Sequence, residues 1–180
     1  IIPARFASSR LPGKPLLEIE GISMIQRVFN QAIQVESIEL VVVATDDQRI
    51  YDHVESFGGQ VLMTDPNHQS GTDRCGEVLK LLYQKGYTFD LVVNIQGDEP
   101  FINPLQIESL IQLFHNTPNA QIASQFKWID IEKAQDINRV KVVTNSVGKA
   151  LYFSRSIIPF DRSEHQTTQY KQHIGLYGFK

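Results

Sequence analysis

The stretch Glu39-Leu40-Val41-Val42-Val43-Ala44 is a short, almost unbroken run of apolar residues. A second run of the same kind, Asp90-Leu91-Val92-Val93-Asn94-Ile95, lies further along the chain. Apolar runs of this length without alternation are typical of central parallel strands that are covered on both faces. The two runs therefore predict central strands of a parallel sheet.

Helical patterns lie between and after these runs. Three stretches carry residue patterns that predict helices: 24–34, 48–57 and 76–84. Asn103-Pro104, a capping side chain followed by proline, predicts the start of a further helix that runs to about His115. Strands and helices that alternate in this way indicate an α/β fold with a mostly parallel sheet and right-handed crossovers.

The pattern changes to β-rich after about residue 120. The segment from Arg139 to Phe153, with a Gly-containing turn at 145–148, predicts a β-hairpin. The polar stretch 166–172 is interpreted as a loop. The region 120–180 is either a small subdomain or an extension of the same sheet. Ile1-Ile2-Pro3 is typical of the end of a strand, and 173–180 is strand-like without a closing turn. We therefore expect a piece of a longer polypeptide, truncated at both ends.

Composition excludes several classes of protein. The chain has 180 residues, of which 42% are hydrophobic and 21% charged, which rules out intrinsic disorder, collagen and a coiled coil. No apolar run approaches the roughly 20 residues of a membrane span. A formal net charge of −3 argues against a general nucleic-acid binder. The single cysteine, Cys75, cannot form an internal disulfide or a Cys-rich zinc site, so a reducing compartment is favoured.

Ligands of open α/β sheets bind beyond the carboxyl ends of the strands, which directs attention to three loops. The first, 4–15, contains Arg5, Arg10 and Lys14 but no acidic residue. A basic loop with small residues in an acidic chain indicates an anionic ligand, because backbone N–H groups can approach a phosphate there. The alternative is a solvated basic loop. Neither of the glycine-rich phosphate motifs, G-x-G-x-x-G or the P-loop, is present.

The second loop, 65–74, consists almost entirely of side chains that form hydrogen bonds, which suits a base or a ribose. The simpler interpretation is a helix start, with Ser70 or Thr72 as the capping residue and Asp73 in the first turn. Spacing alone favours this simpler interpretation.

The third loop, Gln96-Gly97-Asp98-Glu99-Pro100, follows the most buried of the predicted strands. A carboxylate that leaves a central strand opposite a cationic loop is a natural ligand for Mg²⁺, which uses one or two carboxylates together with substrate phosphates. An ordinary acidic turn before Pro100 is an equally good interpretation.

The remaining chemistry-bearing residues give weaker signals. His53 and His115 lie in predicted helices and are interpreted as surface or packing residues, and Cys75 as a small buried hydrophobe. His173 and Tyr177 share one face of a predicted strand, and Gly175 between them leaves room for a ligand. The alternative is a barely exposed sheet face.

Together, these segments resemble the 3-deoxy-manno-octulosonate cytidylyltransferase (CMP-Kdo synthetase) family. The resemblance runs over the whole chain and is carried by five motifs in order: 1–16, His68-Gln69-Ser70-Gly71-Thr72-Asp73-Arg74, Gln96-Gly97-Asp98-Glu99-Pro100, Leu151-Tyr152-Phe153-Ser154-Arg155 and His173-Ile174-Gly175-Leu176-Tyr177. It implies a single nucleotidyltransferase domain over 1–180 with a Rossmann-like, mostly parallel sheet and a β-rich extension. It also implies a cytoplasmic homodimer that serves lipopolysaccharide synthesis.

The reaction implied by the resemblance is nucleotidyl transfer. CTP and 3-deoxy-manno-octulosonate (Kdo) would give CMP-Kdo and pyrophosphate, with Mg²⁺ as cofactor, by attack of the anomeric hydroxyl on the α-phosphorus. Such chemistry depends mostly on positioning and charge stabilisation. The family also has a second metal-binding Asp, in a segment C-terminal to residue 180.

The resemblance assigns a role to each matching residue of this chain. Arg5, Lys14 and Asp98 would be catalytic, and Asp98 would also bind the metal. The nucleotide site would comprise Ala4, Arg5, Arg10, Lys14, Ser70, Gly71, Arg74 and Gln96. Sugar-acid binding would fall to Arg155, Arg162, His173 and Tyr177, with the arginines suited to a carboxylate.

Two alternatives stay open. The first is a nucleotidyltransferase of the same architecture for another sugar acid, either the 8-amino variant of Kdo or a sialic acid. Leu11-Pro12-Gly13-Lys14 favours Kdo over sialic acid but does not separate Kdo from its amino variant. The second is a non-catalytic module that binds CTP without releasing pyrophosphate.

Overall fold

A computed structural model of the chain describes residues 1–7, 11–162 and 168–180. The chain forms two compact units, and the first is discontinuous in sequence. It consists of Ile1–Ala123 together with Leu176–Lys180, whereas the second consists of Ser124–Gly175. No helix among the described residues is long and apolar enough to span a membrane. The assignment of 1–180 to a single domain stays a prediction.

The first unit alternates strands and helices. In chain order its elements are β1 (Ile2–Ala4), a 3₁₀ turn (Lys14–Leu16), β2 (Glu18–Ile19), β3 (Ile22–Ser23), α1 (Met24–Ala32), β4 (Val42–Thr45), α2 (Gln48–Ser56), β5 (Gln60–Met63), α3 (Gly71–Gln84), β6 (Val92–Ile95) and α4 (Pro104–Asn116). The predicted central strands correspond to β4 and β6, and the predicted helices to α1, α2, α3 and α4.

The sheet of the first unit is mostly parallel. β4 pairs in parallel with β1 on one side and with β5 on the other. Ile1 extends the sheet to β6, because its nitrogen donates to Val93 O (2.7 Å) and its carbonyl accepts from Ile95 N (3.0 Å). On the far side of β6, residues 176–179 form an antiparallel pair with it. The predicted mostly parallel α/β architecture is confirmed.

Capping side chains define where the helices begin. Ser23, Asp47, Ser70 and Asn103 each accept a hydrogen bond from a backbone N–H in the first turn of α1, α2, α3 and α4. α3 starts at Gly71, as the capping interpretation of Ser70 predicts and earlier than the apolar pattern over 76–84 indicates, because the Ser70 cap satisfies the N–H of Asp73. Val78 and Leu82 of this helix pack on β4, and this contact anchors α3 to the sheet.

The second unit is β-rich, as predicted for the region after about residue 120. The remaining elements of the chain are β7 (Ile122–Ile129), α5 (Ile131–Ala134), β8 (Lys141–Thr144), β9 (Ala150–Ser154) and β10 (Tyr170–Phe179). β8 and β9 form the predicted antiparallel hairpin, and its turn is closed by Asn145, whose side chain accepts from Val147 N and Lys149 N. Within this unit β8 also pairs with β10, at Gln172 and Lys141.

The loop predicted over 166–172 is wrong for its second half. β10 already begins at Tyr170, which is buried against Ile129 and Ala134. This apolar packing outweighs the polar character of the neighbouring residues. Residues 166 and 167 lie outside the described part of the chain.

Candidate functional site

The carboxyl ends of the parallel strands of the first unit lie along one edge of its sheet. The loops that follow β1, β5 and β6 are the three loops that the sequence indicates. A cavity of about 530 Å³ opens at the opposite edge, where Val41, Val42, Val92 and Ile1 line it. Because open α/β sheets bind ligands at the carboxyl ends of their strands, the loop edge is the candidate site and this cavity is not.

The first loop is closed at its base by Phe6 and Gly13. Gly13 N donates to Phe6 O (2.9 Å), and the Phe6 ring lies so close that a Cβ at Gly13 would come within 3.0 Å of it. Gly13 also has φ +70°, a conformation that side chains disfavour. The guanidinium of Arg49 lies 3.3 Å from the centre of the Phe6 ring. Phe6 therefore contacts both Gly13 of the same loop and Arg49 of α2.

Of the three predicted cations of the first loop, the structure describes Arg5 and Lys14. Arg5 is exposed at the end of β1, next to the buried Ala4. Lys14 begins the 3₁₀ turn. Arg10, predicted to bind the nucleotide, lies outside the described residues together with Ser8 and Ser9.

Lys14 and Asp98 connect the first loop to the third. The Nζ of Lys14 donates to Oδ2 of Asp98 at 2.7 Å, with the side chains 34% and 50% exposed. The two groups are separated by 84 positions in sequence, so the sheet edge brings them together. The ion pair places a cation and a carboxylate side by side on the solvent-facing edge.

Gly97 allows the third loop to pass directly over β1. A Cβ at this position would lie 2.7 Å from Pro3 O, a distance that real Cβ atoms do not show. Gln96, on the other side of Gly97 from Asp98, donates through Nε2 to Asn94 Oδ1 (3.3 Å). Asn94 is fully buried and its amide reaches Thr72 Oγ1 (3.5 Å). Sequence reasoning missed Asn94, although a polar residue inside an apolar strand is a signal for such a link.

The start of α3 confirms the capping interpretation of the second loop. Ser70 Oγ accepts from Asp73 N (3.1 Å) and donates to Asp73 Oδ2 (2.7 Å). Gly71 lies against Pro3, because a Cβ there would approach Pro3 Cγ to 3.1 Å. The helix start is thus packed on β1, beside the first loop. Roles of Ser70 and Gly71 in nucleotide binding stay predictions.

Arg74 is only 3% exposed and is held by protein groups. Its Nη2 donates to Asp46 Oδ2 (2.7 Å), and its Nη1 donates to Thr64 Oγ1. Thr64 in turn bonds to Thr45 O through its N–H (2.8 Å) and its hydroxyl (3.0 Å). Arg74 therefore ties the helix start to the ends of β4 and β5. Contact of Arg74 with a nucleotide stays a prediction.

Glu77 is a second residue that sequence reasoning missed. Its Oε2 accepts from Asp65 N (2.9 Å) and lies 2.5 Å from His68 Nε2. These hydrogen bonds hold the pKa of Glu77 below its usual range. The second loop is therefore attached to α3 at its middle as well as at its end. A Glu about two turns after the Ser70 cap is the signal that the sequence offers.

Three of the four residues predicted to bind a sugar acid lie in the second unit, and the fourth, Tyr177, lies in the first. In the second unit, Arg155 donates through Nη1 to Ile137 O (3.1 Å), and Arg162 is exposed. His173 Nε2 lies 2.7 Å from Ser124 Oγ, and its ring meets that of Phe153 edge to face. Burial lowers the pKa of His173.

Tyr177 belongs to the part of β10 that pairs with β6 in the first unit. Its ring stacks on that of Phe179, with 6.3 Å between the centroids. Burial raises the pKa of its hydroxyl, so the phenol stays protonated at neutral pH. It can therefore donate a hydrogen bond to an anionic ligand.

Metal-binding side chains are sparse at this edge. Among the described residues, no three His, Cys, Asp or Glu side chains are arranged to hold a metal ion. Asp98 offers a hard oxygen ligand on a half-exposed carboxylate, beside the Lys14 ammonium. This donor set fits a Mg²⁺ ion that draws most of its ligands from substrate phosphates and water.

The known proteins to which this chain is similar are cytidylyltransferases. The profile of a family described as "Cytidylyltransferase" matches residues 1–180. The chain is 50% identical over 192 residues to a 3-deoxy-manno-octulosonate cytidylyltransferase of Parabacteroides distasonis, covering all of this chain and 73% of that protein. It is 46% identical over 181 residues to an 8-amino-3,8-dideoxy-manno-octulosonate cytidylyltransferase of Shewanella frigidimarina. This match covers 99% of this chain and 73% of that protein.

A solved structure is similar over nearly the whole chain. It is that of CMP:2-keto-3-deoxy-manno-octonic acid synthetase complexed with CTP, which matches with a TM-score of 0.91 and 44% identity. The match covers 99% of this chain and 72% of that one.

Proposed function

Because this chain belongs to the cytidylyltransferase family, we infer that it transfers CMP from CTP to the anomeric hydroxyl of Kdo. In this reaction a bond forms between the anomeric oxygen and the α-phosphorus, and the bond from the α-phosphorus to the oxygen that bridges it to the β-phosphorus breaks. Pyrophosphate leaves with that bridging oxygen, and the hydroxyl proton passes to solvent. The product is the activated Kdo used in lipopolysaccharide synthesis.

The Lys14–Asp98 contact is the observation in this chain that best supports the chemistry. Phosphoryl and nucleotidyl transfer need cations where charge develops on the leaving group. Lys14 is half-exposed at the sheet edge and Arg5 is exposed at the end of β1. Both cations are near the loops that would carry the triphosphate, with Arg10 of the same loop as a further cation. We propose that they bind the triphosphate and stabilise pyrophosphate as it leaves.

Mg²⁺ is proposed as the cofactor, with Asp98 as its ligand from this chain. The ion would supply Lewis-acid polarisation of a phosphate oxygen. Asp98 fits this role because it is a half-exposed hard oxygen donor next to the proposed triphosphate position. The contact with Lys14 neutralises the carboxylate and orients Oδ2 towards the first loop.

The nucleoside is proposed to lie over the start of α3 and the end of β6. Ser70, Gly71 and Gln96 are supported by their positions on the loop edge, where Gly71 and Gly97 both pack against Pro3. Arg74 is supported in this pocket as a residue that holds the loops around it. The sugar acid is proposed to bind to Arg155, Arg162, His173 and Tyr177, whose donor groups suit a carboxylate and hydroxyls.

The test is pyrophosphate release from CTP with Mg²⁺ and a panel of sugar acids. Kdo should give the highest kcat/KM, with CMP-Kdo identified by its mass. The 8-amino variant is a second candidate, because the Shewanella frigidimarina relative is named for it. If the amino sugar or a sialic acid gives the highest kcat/KM, that sugar acid and not Kdo is the substrate. If the protein binds CTP but releases no pyrophosphate with any of the sugar acids, it is a binding module and not an enzyme.

A homodimer in the cytoplasm is proposed for this chain. Exposed apolar side chains of the second unit, among them Leu151 and Phe160, support a surface that another copy covers. The free thiol of the single Cys75 is consistent with a reducing compartment. Light scattering across a dilution series should give twice the mass of one chain. If the measured mass is that of one chain at all concentrations, the protein is a monomer and the proposed homodimer is wrong.

A further inference from the structure

Lys141 is a fully buried lysine at the start of β8. Its Nζ donates to three backbone carbonyl oxygens, which belong to Asp136 (3.1 Å), Arg139 (2.6 Å) and Arg155 (2.6 Å). An ammonium group has three N–H donors, so each donor of Lys141 has its own acceptor. Burial lowers the pKa of the ammonium, and the nearby carboxylate of Asp136 opposes this shift.

Packing alone does not account for a charge at this position. In the described part of the chain, the hydrogen-bond partners of the Lys141 ammonium are backbone carbonyls and not carboxylates. Even a buried ion pair can often be replaced by apolar side chains of similar volume without loss of stability, so packing does not require a charge. A lysine supplies something that methionine or leucine cannot, namely one point at which three carbonyls from two segments meet, the turn at 136–139 and Arg155.

One of these carbonyls belongs to Arg155, which is proposed to bind the sugar acid. The guanidinium of Arg155 also donates to Ile137 O (3.1 Å), which uses one of its five N–H donors. Ile137 lies in the turn whose carbonyls at Asp136 and Arg139 accept from the same ammonium. Lys141 therefore fixes both the backbone of Arg155 and the turn on which its guanidinium rests.

The turn is held from a second side. Arg139 forms an ion pair with Asp136 (3.3 Å) and donates to Gln172 Oε1 (3.0 Å) on β10. The segment that supports the Arg155 guanidinium is thus attached to β8 through Lys141 and to β10 through Arg139. A support fixed at two points keeps its position when the exposed arginine binds a ligand.

We propose that Lys141 is a positioning residue of the sugar-acid site, which sets the place of the Arg155 guanidinium through the backbone of residues 136–139 and 155. This proposal rests on the proposed function, because it takes Arg155 to bind the substrate carboxylate. A guanidinium binds a carboxylate well only in a defined bidentate geometry, so a small displacement weakens binding of the sugar acid. Binding of CTP does not depend on this geometry.

The experiment compares Lys141→Met with Val142→Ala, alone and combined with Arg155→Ala. Val142 is buried on the same strand, so Val142→Ala loses packing but keeps all three carbonyl contacts. Lys141→Met should raise the KM for Kdo by up to about 100-fold, whereas Val142→Ala should not. The Kd for CTP from calorimetry should stay within about twofold in both variants. In the Arg155→Ala background, Lys141→Met should add little to the KM for Kdo.

Each other outcome decides against part of this scheme. An unchanged KM for Kdo in folded Lys141→Met, an equal loss of CTP binding, or full additivity with Arg155→Ala overturns the role of Lys141. If Lys141→Met fails to fold, Lys141→Arg keeps the charge but moves the donors, and it should raise the KM for Kdo selectively. Failure of both to fold makes Lys141 a folding residue and overturns the proposal. An Arg155→Ala protein with normal KM instead refutes the proposed sugar site, whatever Lys141 does.

Discussion

Lys14 Nζ lies 2.7 Å from Asp98 Oδ2, so the cation proposed for the triphosphate and the carboxylate proposed for the metal form one ion pair. Both side chains are partly exposed, and pairs of this kind contribute little to stability, about 0–1 kcal/mol. The pair can therefore separate at small cost when a charged ligand arrives. Its two members are then free to take different partners.

Replacing Lys14 by methionine should weaken CTP much more than CMP. CMP lacks the β- and γ-phosphates, which are the groups that the ammonium would contact. Calorimetry should show at least about a tenfold larger loss for CTP, since charge-assisted hydrogen bonds contribute about 1.5–3 kcal/mol. Lys80→Met, at an exposed site on α3, is the matched control and should change neither affinity. Equal losses for CTP and CMP would show that Lys14 does not contact the outer phosphates.

Asp98→Asn should abolish Mg²⁺-dependent turnover and leave the fold intact. An amide keeps the shape of the side chain but removes the charge that would hold the ion. We expect kcat to fall about 100-fold or more, because metal-assisted charge stabilisation is worth several kcal/mol. Asp90→Asn, an exposed site before β6, serves as the control. Near-normal turnover in folded Asp98→Asn would exclude this carboxylate as the metal ligand.

Arg74→Met should destabilise the protein through the carboxylate that it leaves behind. Asp46 would lose its partner while its side chain stays only 13% exposed. Breaking such a pair costs about 3 kcal/mol, which urea denaturation measures as a lower free energy of unfolding. Lys133→Met breaks the more exposed pair with Asp130 and should cost no more than about 1 kcal/mol. Similar losses in both variants would argue against a special role of the Arg74 network.

Gly97→Ala should destabilise the protein, whereas Gly76→Ala should not. The new methyl group at residue 97 would lie 2.7 Å from Pro3 O, so β1 or the third loop must move. A cost of about 1–3 kcal/mol is expected from such overpacking. At Gly76, in the middle of α3, nothing lies within 4 Å, and alanine should stabilise the helix by up to about 1 kcal/mol. A neutral Gly97→Ala would show that the close approach is not rigid.

His173 should make stability decrease in mild acid. Its pKa is lowered from 6.5 by burial, so the unfolded chain binds a proton at a higher pH than the folded one. The contribution of His173 to the free energy of unfolding is therefore fully present above about pH 6.5 and is lost as the pH falls below that value. Urea denaturation from about pH 7.5 to about pH 5 should show a shallower decline for His173→Gln. Parallel curves for the two proteins would contradict this assignment.

Local patterns in the sequence predicted most of the secondary structure of the first unit. Continuous apolar runs gave β4 and β6, and the Asn103-Pro104 signal gave the start of α4. The apolar pattern placed the start of α3 too late, because Gly71 and Thr72 carry no apolar periodicity, whereas the capping interpretation of Ser70 predicted it. The start of β10 was missed because the buried Tyr170 is surrounded by polar neighbours.

The candidate site was predicted less completely, because its contacts join distant parts of the chain. The three loops follow from the rule for strand ends, but the ion pair of Arg74 with Asp46 does not. The three carbonyls around Lys141 leave no trace in the sequence, since any residue has a carbonyl. A lysine at the start of an apolar strand is usually interpreted as solvent-exposed. Only tertiary packing distinguishes a buried lysine at this position from an exposed one.

The discontinuous first unit bears on how the chain folds during its synthesis. β6 leaves the ribosome long before residues 176–179, which form its antiparallel neighbour. Until then, one side of β6 exposes unpaired N–H and C=O groups, and an open strand edge invites pairing with other chains. Contacts between such distant residues also slow folding. Emerging chains of this protein should therefore depend on chaperones until residues 176–179, which follow the second unit, have been made.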